Sequence, residues 1–425
     1  MVDKILAATP SGAADKVTIP FSETAINLLS SQGFYAAVVA TMVFVLLGFF
    51  ATRKGVFSKE INGKLSTFTL NYALPFLCLI AFMKDADTRA GKEVAIVIGL
   101  SAAFYILIGI YNFVIIKYVP KLMSARLLAK ARALYEKTDK GVVQTAFEEA
   151  YIKSYAQKIL TAQMMLSYAS LQFFAVPLIQ SLTGLVFQNT TLAILQVWNL
   201  PYMIGAFSYL KLQYSGQKIS RTQIKPVLKA LTVPMMLCLY VSAILWLIQF
   251  IPGANTWFVT SAKHPFEFTK VEQGTPGAHQ YYGGLLSRFP VIAKPIQVGS
   301  GLVSPLAWLV IGGSLATANL KEAGKDKDVW ITTIRKTFVM PLAIFLFGLI
   351  IASLGWLSPG TTTLLVILAA CPPAAVTIIF SAAYKHEHSG YTAAVNSLST
   401  LVCLVTIPIW TLISFATYNA IPVIV

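Results

Sequence analysis

Ten long stretches of this chain contain no Asp, Glu, Lys, Arg or His. They lie near residues 25–51, 65–83, 94–116, 159–182, 190–210, 230–252, 295–318, 337–356, 362–384 and 391–414. A helix that crosses a bilayer needs about 20 predominantly apolar residues, and helices buried in a soluble protein are shorter and carry a polar face. Charged residues make up 12% of the 425 positions, about half the usual share of a soluble domain. The expected fold class is therefore all-α integral membrane, with ten transmembrane helices.

Loop charge sets the expected orientation. With the amino terminus outside and the spans alternating, inside loops hold 24 of the 33 basic residues and outside segments hold 9. The positive-inside rule then places both termini outside the cytoplasm of a multi-pass protein of the cell membrane, most simply a bacterial plasma membrane. The net charge of +16 belongs to that cytoplasmic face, where it can meet anionic lipid, and it calls for no nucleic-acid partner. Residues 1–24 carry Asp3, Lys4, Asp15, Lys16 and Glu23, unlike a cleaved secretory signal. Cys78, Cys238, Cys371 and Cys403 all fall inside expected spans and read as small packing residues.

Prolines mark an internal duplication. Span two carries Pro75 and span seven Pro305; span four carries Pro177 and span nine the pair Pro372 and Pro373. Discounting the charged segment 118–157 brings these landmarks close to congruence. Five spans per half is an odd number, so the halves must be inverted relative to each other. The expected organisation is an outside segment 1–24, a first five-helix repeat 25–210 with a cytoplasmic insertion 118–157, a cytoplasmic linker 211–229, a second repeat 230–414 with an outside insertion 253–290, and an outside tail 415–425. Leu122, Leu127, Leu128, Ala131 and Leu134 among basic residues suggest an amphipathic surface helix in the first insertion, or a solvated connector. The second insertion reads as a loop.

A proline at position i leaves the carbonyl at i−4 unpaired and crowds it. Pro75 would free Asn71, Pro305 Gly301 and Pro177 Phe173. The double proline of span nine reads as a break, with Pro372 and Pro373 opening a second half-helix. Discontinuous helices at matching places in two halves are the usual pointer to a binding site.

Leu47–Ser58, followed by Leu70-Asn71-Tyr72-Ala73-Leu74-Pro75, resembles the opening of the auxin efflux carrier family in its bacterial branch. Ile311–Ala316, Ala370-Cys371-Pro372-Pro373-Ala374-Ala375, Val395–Thr400 and Thr406-Ile407-Pro408 are similar to later motifs of that family. The family belongs to the broader superfamily of bile acid:sodium symporter-like transporters. The resemblance implies two inverted five-helix repeats, broken helices four and nine crossing near mid-membrane, a homodimer, and carriage of auxin or of dicarboxylates. One departure stands out: Ser170 and Ala175 occupy positions where the family usually has Asn and Gly, which points to a different substrate.

With no Lys or Arg inside the ten windows, an anion would be held by half-helix ends and by hydroxyl and amide donors. The substrate-binding candidates are Ser167, Ser170 and Gln172 in span four and Thr377 and Ser381 in span nine. Asn71, Ser304 and Asn396 join them by homologous placement. Ser and Thr in membrane helices also bond the carbonyl one turn back or join helices. His386 and His388 flank Glu387 with no evident third ligand, so a solvated turn is expected there rather than a metal site. No cofactor is implied.

The function so read is a secondary carrier of small organic anions, such as mono- or dicarboxylates, working by alternating access. An enzyme would place catalytic acids, bases or metal ligands in the spans, and the windows have none. A sodium-coupled symporter of the bile-acid type and a channel or sensor are the alternatives.

Overall fold

The computed structural model describes residues 18–137, 143–216, 224–260 and 267–422. Helix α1 (Phe21–Leu29) leads into α2 (Gln32–Arg53), α3 (Lys59–Phe82) and α4 (Thr88–Leu122). Helix α5 (Ser124–Tyr135) precedes α6 (Gln144–Ser167), α7 (Leu171–Leu182) and α8 (Thr191–Gly205). Next come α9 (Ile224–Leu231), α10 (Pro234–Ile248), α11 (Pro290–Thr317) and α12 (Lys327–Ser353). The chain closes with α13 (Pro359–Ala370), α14 (Ala375–Ala383) and α15 (Ser389–Ala420). Six of these are long and apolar enough to cross a membrane, or seven when α9 and α10, bent by 63°, count as one span.

Prolines shape these helices in two ways. Pro75, Pro177 and Pro341 each follow a π turn, at Thr69–Ala73, Leu171–Ala175 and Arg335–Val339. The amide just before each proline reaches back five residues: Leu74 to Thr69, Val176 to Leu171, Met340 to Arg335. The extra residue moves the i−4 carbonyl clear of the proline ring and keeps the helix going. Span two is therefore not broken at Pro75, and Asn71 sits within its π turn. Pro305 likewise lies in the first turn after a one-residue kink at Leu302, inside the 28-residue α11.

Apart from the α9–α10 bend, where Pro234 opens α10, two breaks interrupt the described spans, and neither of these falls where a proline starts a helix. Tyr168–Ser170 separate α6 from α7, well before Pro177. Residues 371–374 separate α13 from α14, so Pro372 and Pro373 lie in extended backbone and α14 opens at Ala375. Contrary to the sequence expectation, Pro372 and Pro373 do not open the second half-helix.

Packing divides the helices into two groups. Helices α2, α3, α10 and α11 lie against one another, and α4, α6, α8, α12, α13 and α15 form the larger group. In the first, Gly48 and Gly312 let α2 and α11 touch backbone to backbone. A Cβ on Gly48 would sit 2.2 Å from the Leu309 carbonyl oxygen, and one on Gly312 would sit 2.0 Å from that of Val45. Such small-residue contacts are how membrane helices approach closely.

The insertions hold more structure than their composition suggests. Helix α5 exists, but Leu127 and Ala131 are buried on the α5–α6 contact and Arg132 pairs with Glu148 at 3.0 Å. Residues 257–280 carry a three-stranded antiparallel sheet in the order β2-β1-β3, from β1 (Trp257–Thr260), β2 (Phe268–Val271) and β3 (His279–Gln280). The fold is thus mainly, not wholly, helical. Asp85, before α4, anchors the sheet by accepting from the Gln280 amide at 2.7 Å and meeting His279 Nδ1 at 2.8 Å.

Candidate functional site: a crossing of two unwound segments

The two breaks meet. Ala169 and Pro373 form an isolated antiparallel bridge. The Ser170 amide donates to the Pro372 carbonyl at 2.8 Å, and the Ala374 amide to the Tyr168 carbonyl at 2.8 Å. Each unwound segment thus satisfies part of the other's backbone, as a low-dielectric interior requires. Side chains complete the accounting. Asn396 Nδ2 donates to the Pro373 carbonyl at 2.8 Å, the Cys403 thiol to Ala370 at 3.0 Å, and Lys336 Nζ to Leu166 at 3.1 Å.

A cavity of about 350 Å³ opens on one side of the crossing. Its walls include Asn62, Ser66 and Lys59 from α3, Ser314 and Thr317 from α11, Ser170, Pro372 and Pro373 from the crossing, and Asn396 from α15. Asn62 Nδ2 donates to Val310 O and Ser314 Oγ, both at 3.2 Å, while its buried Oδ1 has no partner among the described residues. Ala375, the first residue of α14, also lines the space. The amides of Ala375 and Val376 have no backbone or side-chain acceptor among the described residues. Helix-start amides, the Ser66 and Ser170 hydroxyls and the exposed Lys59 together suit a small anion, whereas the free Asn62 Oδ1 is an acceptor and suits a donor.

The sequence candidates separate here. Ser170, Asn396, Pro372 and Pro373 line the cavity. Asn71 does not line it, and the remaining hydroxyl and amide candidates make internal bonds. Ser167 donates to Gln163 O at 2.8 Å and accepts from Asn112 at 2.7 Å; Gln172 faces Gln196 at 3.5 Å. Thr377, fully buried, donates to Ala374 O at 2.7 Å. Ser381 pairs with Thr392 at 3.2 Å, and Ser304 donates to Gln180 Oε1 at 2.6 Å. Asn62 escaped the sequence reading because it lies between Lys59 and Lys64, outside any charge-free window, and Ser314 because it sits away from the prolines that marked the expected breaks.

Ionisable side chains depart from the sequence expectation at three places. Lys336 is 1% exposed within α12, so a span does hold a buried cation; the window beginning at residue 337 missed it by one position. Glu93, in α4, is 3% exposed and accepts from the amide and hydroxyl of Ser358 at 2.8 and 3.1 Å, and from Thr361 Oγ1. It caps the start of α13, a structural duty. His386 and His388 are not a solvated turn: they bind Gln157 Oε1 at 3.0 Å and Ser154 O at 2.8 Å, tying the α14–α15 turn to α6.

A family model described as a membrane transport protein, of the auxin efflux carrier-like family, matches residues 284–411. That stretch contains α11 to α14, most of α15, and one of the two crossing segments. No curated protein matches the chain.

Proposed function

We propose that the chain is a secondary carrier of small organic anions, mono- or dicarboxylates, that works by alternating access in the cell membrane. The observation that carries this reading is the polar cavity at the crossing, bordered on one side by α3 and α11 and on the other by α7, α14 and α15. A site shared by two helix groups can be exposed to either side of the membrane when one group moves against the other.

Ten passes in two inverted repeats follow on this reading if α6–α7, α9–α10 and α13–α14 each count as one span and α8 is continued through Ala206–Leu210 to Ser215. The loop contacts support the alternation. Lys158 reaches Asp328, and Ser154 reaches Glu387, joining segments expected inside; the Ile19 amide donates to Asn419 O at 3.2 Å, joining segments expected outside. Both termini then face outward. A homodimer is part of the same proposal.

Purified protein should show a thermal shift with some members of a panel of small mono- and dicarboxylates. In proteoliposomes loaded with an unlabelled hit, external labelled hit should accumulate transiently above equilibrium. Flux without such counterflow would mean a channel, and counterflow only in the presence of sodium would mean the bile-acid-type symporter.

A further inference from the structure

Behind the crossing lies a second cavity of about 260 Å³ that shares no lining residue with the first. Leu100, Phe104 and Leu107 of α4 form one wall, and Met340, Ile344 and Phe347 of α12 the other. Its lining is almost wholly apolar, with Trp198 of α8 among the residues that close it. Leu107 and Phe347 are 64% and 44% exposed, on faces where Ile106, Ile110, Leu346 and Ile350 are exposed too. These are surfaces that lipid covers in a membrane protein, so the mouth faces the bilayer.

Lys336 also lines this cavity. Its ammonium has three donors and one partner, the Leu166 carbonyl at 3.1 Å. No carboxylate lies within ion-pair distance of it among the described residues. A buried cation without a counter-charge is expensive, and in a bilayer such a residue points to function. A Met at this place would fill the same space without that cost. The remaining donors call for an anion, and the apolar walls restrict what the anion can be attached to. A cavity of about 150 Å³ accepts benzene, so this larger one takes a longer apolar body.

We propose that the space between α4 and α12 is a bilayer-facing site for a single-chain carboxylate amphiphile, a fatty acid, with its carboxylate on Lys336 and its chain running out past Leu107 and Phe347. The site is separate from the polar cavity, and its occupancy does not depend on what the carrier transports. A ligand here bridges α4 and α12 beside the crossing, where it can stiffen one helix group.

Trp198 supplies a local reporter. A fatty acid brominated near its carboxyl end, added to the reconstituted protein, should quench tryptophan fluorescence saturably, and Trp198→Phe should remove that saturable component. Lys336→Met should weaken the apparent affinity at least tenfold. The brominated methyl ester should bind wild type as weakly as the acid binds this variant. Ala103→Phe, which narrows the space without touching the charge, should abolish saturation. Equal quenching of wild type by acid and ester, or unchanged affinity in Lys336→Met, would overturn the proposal. Should Lys336→Met fail to fold, the acid–ester comparison on wild type and the Ala103→Phe result decide it.

Discussion

Thr377 and Ser170 carry the same hydroxyl chemistry in opposite settings. Thr377 is fully buried and spends its hydrogen on the Ala374 carbonyl at the start of α14. Ser170 borders the polar cavity and makes no side-chain bond within the described chain. Ser170→Ala should therefore weaken carboxylate binding roughly tenfold, about 1.4 kcal/mol, with little change in melting temperature. Thr377→Val should do the reverse, costing about 1 kcal/mol of stability and leaving affinity alone. Calorimetric titration and thermal unfolding of both variants would separate the two roles. Wild-type affinity in Ser170→Ala combined with lost affinity in Thr377→Val would place the anion on the wrong residue. Residue identity alone could not make this distinction, since a hydroxyl near a helix break serves equally as ligand or as cap. Lys336 was hidden for another reason. A window that ends at the first charge cannot tell a lysine that snorkels to water from one that turns inward, and the π turn at Arg335–Val339 surrounds it.

At the level of elements, prolines announced irregular helices, but tertiary partners decided the kind of irregularity. Pro75 and Pro341 bend helices that continue. Besides the α9–α10 bend, the described spans unwind at Tyr168–Ser170 and residues 371–374, where each segment finds the other's backbone. Such pairing joins positions about 200 apart in sequence, beyond the reach of local pattern. Long apolar spans were legible because length and hydropathy suffice to specify them; the sheet at 257–280 was not, since its strands are short and set among Gly and Pro. The α14–α15 turn depends on a local charge state. His386 Nδ1 accepts from the His388 amide at 3.2 Å while Nε2 faces Gln157 Oε1, an arrangement that fits the neutral Nε2–H ring. Burial first, and then the nearby His388, hold its pKa below the ordinary value against the pull of Glu387. The unfolded chain therefore takes up this proton more readily. The stabilising contribution is complete above about pH 6.5 and is lost as pH falls below it. His386→Asn, which can keep an acceptor near Nδ1 and does not titrate, should flatten the fall in melting temperature between about pH 7 and pH 5. An unchanged slope would show that the acid sensitivity arises elsewhere.

For the whole molecule, the decisive feature is that the polar cavity lies at a boundary. Helices α2, α3, α10 and α11 form one side, locked by the backbone contacts at Gly48 and Gly312. The crossing belongs to the other side, locked by the Ala169–Pro373 bridge and by Asn396, Cys403 and Lys336. Each group is internally braced, so the proposed carrier would present its one site to both sides by moving one group against the other. Ser66 of α3 and Ile379 of α14 face the same cavity from the two groups. The test is a Ser66→Cys, Ile379→Cys pair in a background without Cys78, Cys238 and Cys371, with Cys403→Ser to keep the donor to Ala370. Bridging the pair with a cavity-length, reducible thiol reagent should abolish counterflow, and reduction should restore it. A second pair, Ser154→Cys with His388→Cys, joins α6 to the α14–α15 turn within one group, where the two residues already touch at 2.8 Å. Bridging that pair should leave counterflow running. Persistent counterflow with the first pair fully bridged would mean that α3 and α14 do not move apart during transport, and the two-group mechanism would have to be abandoned.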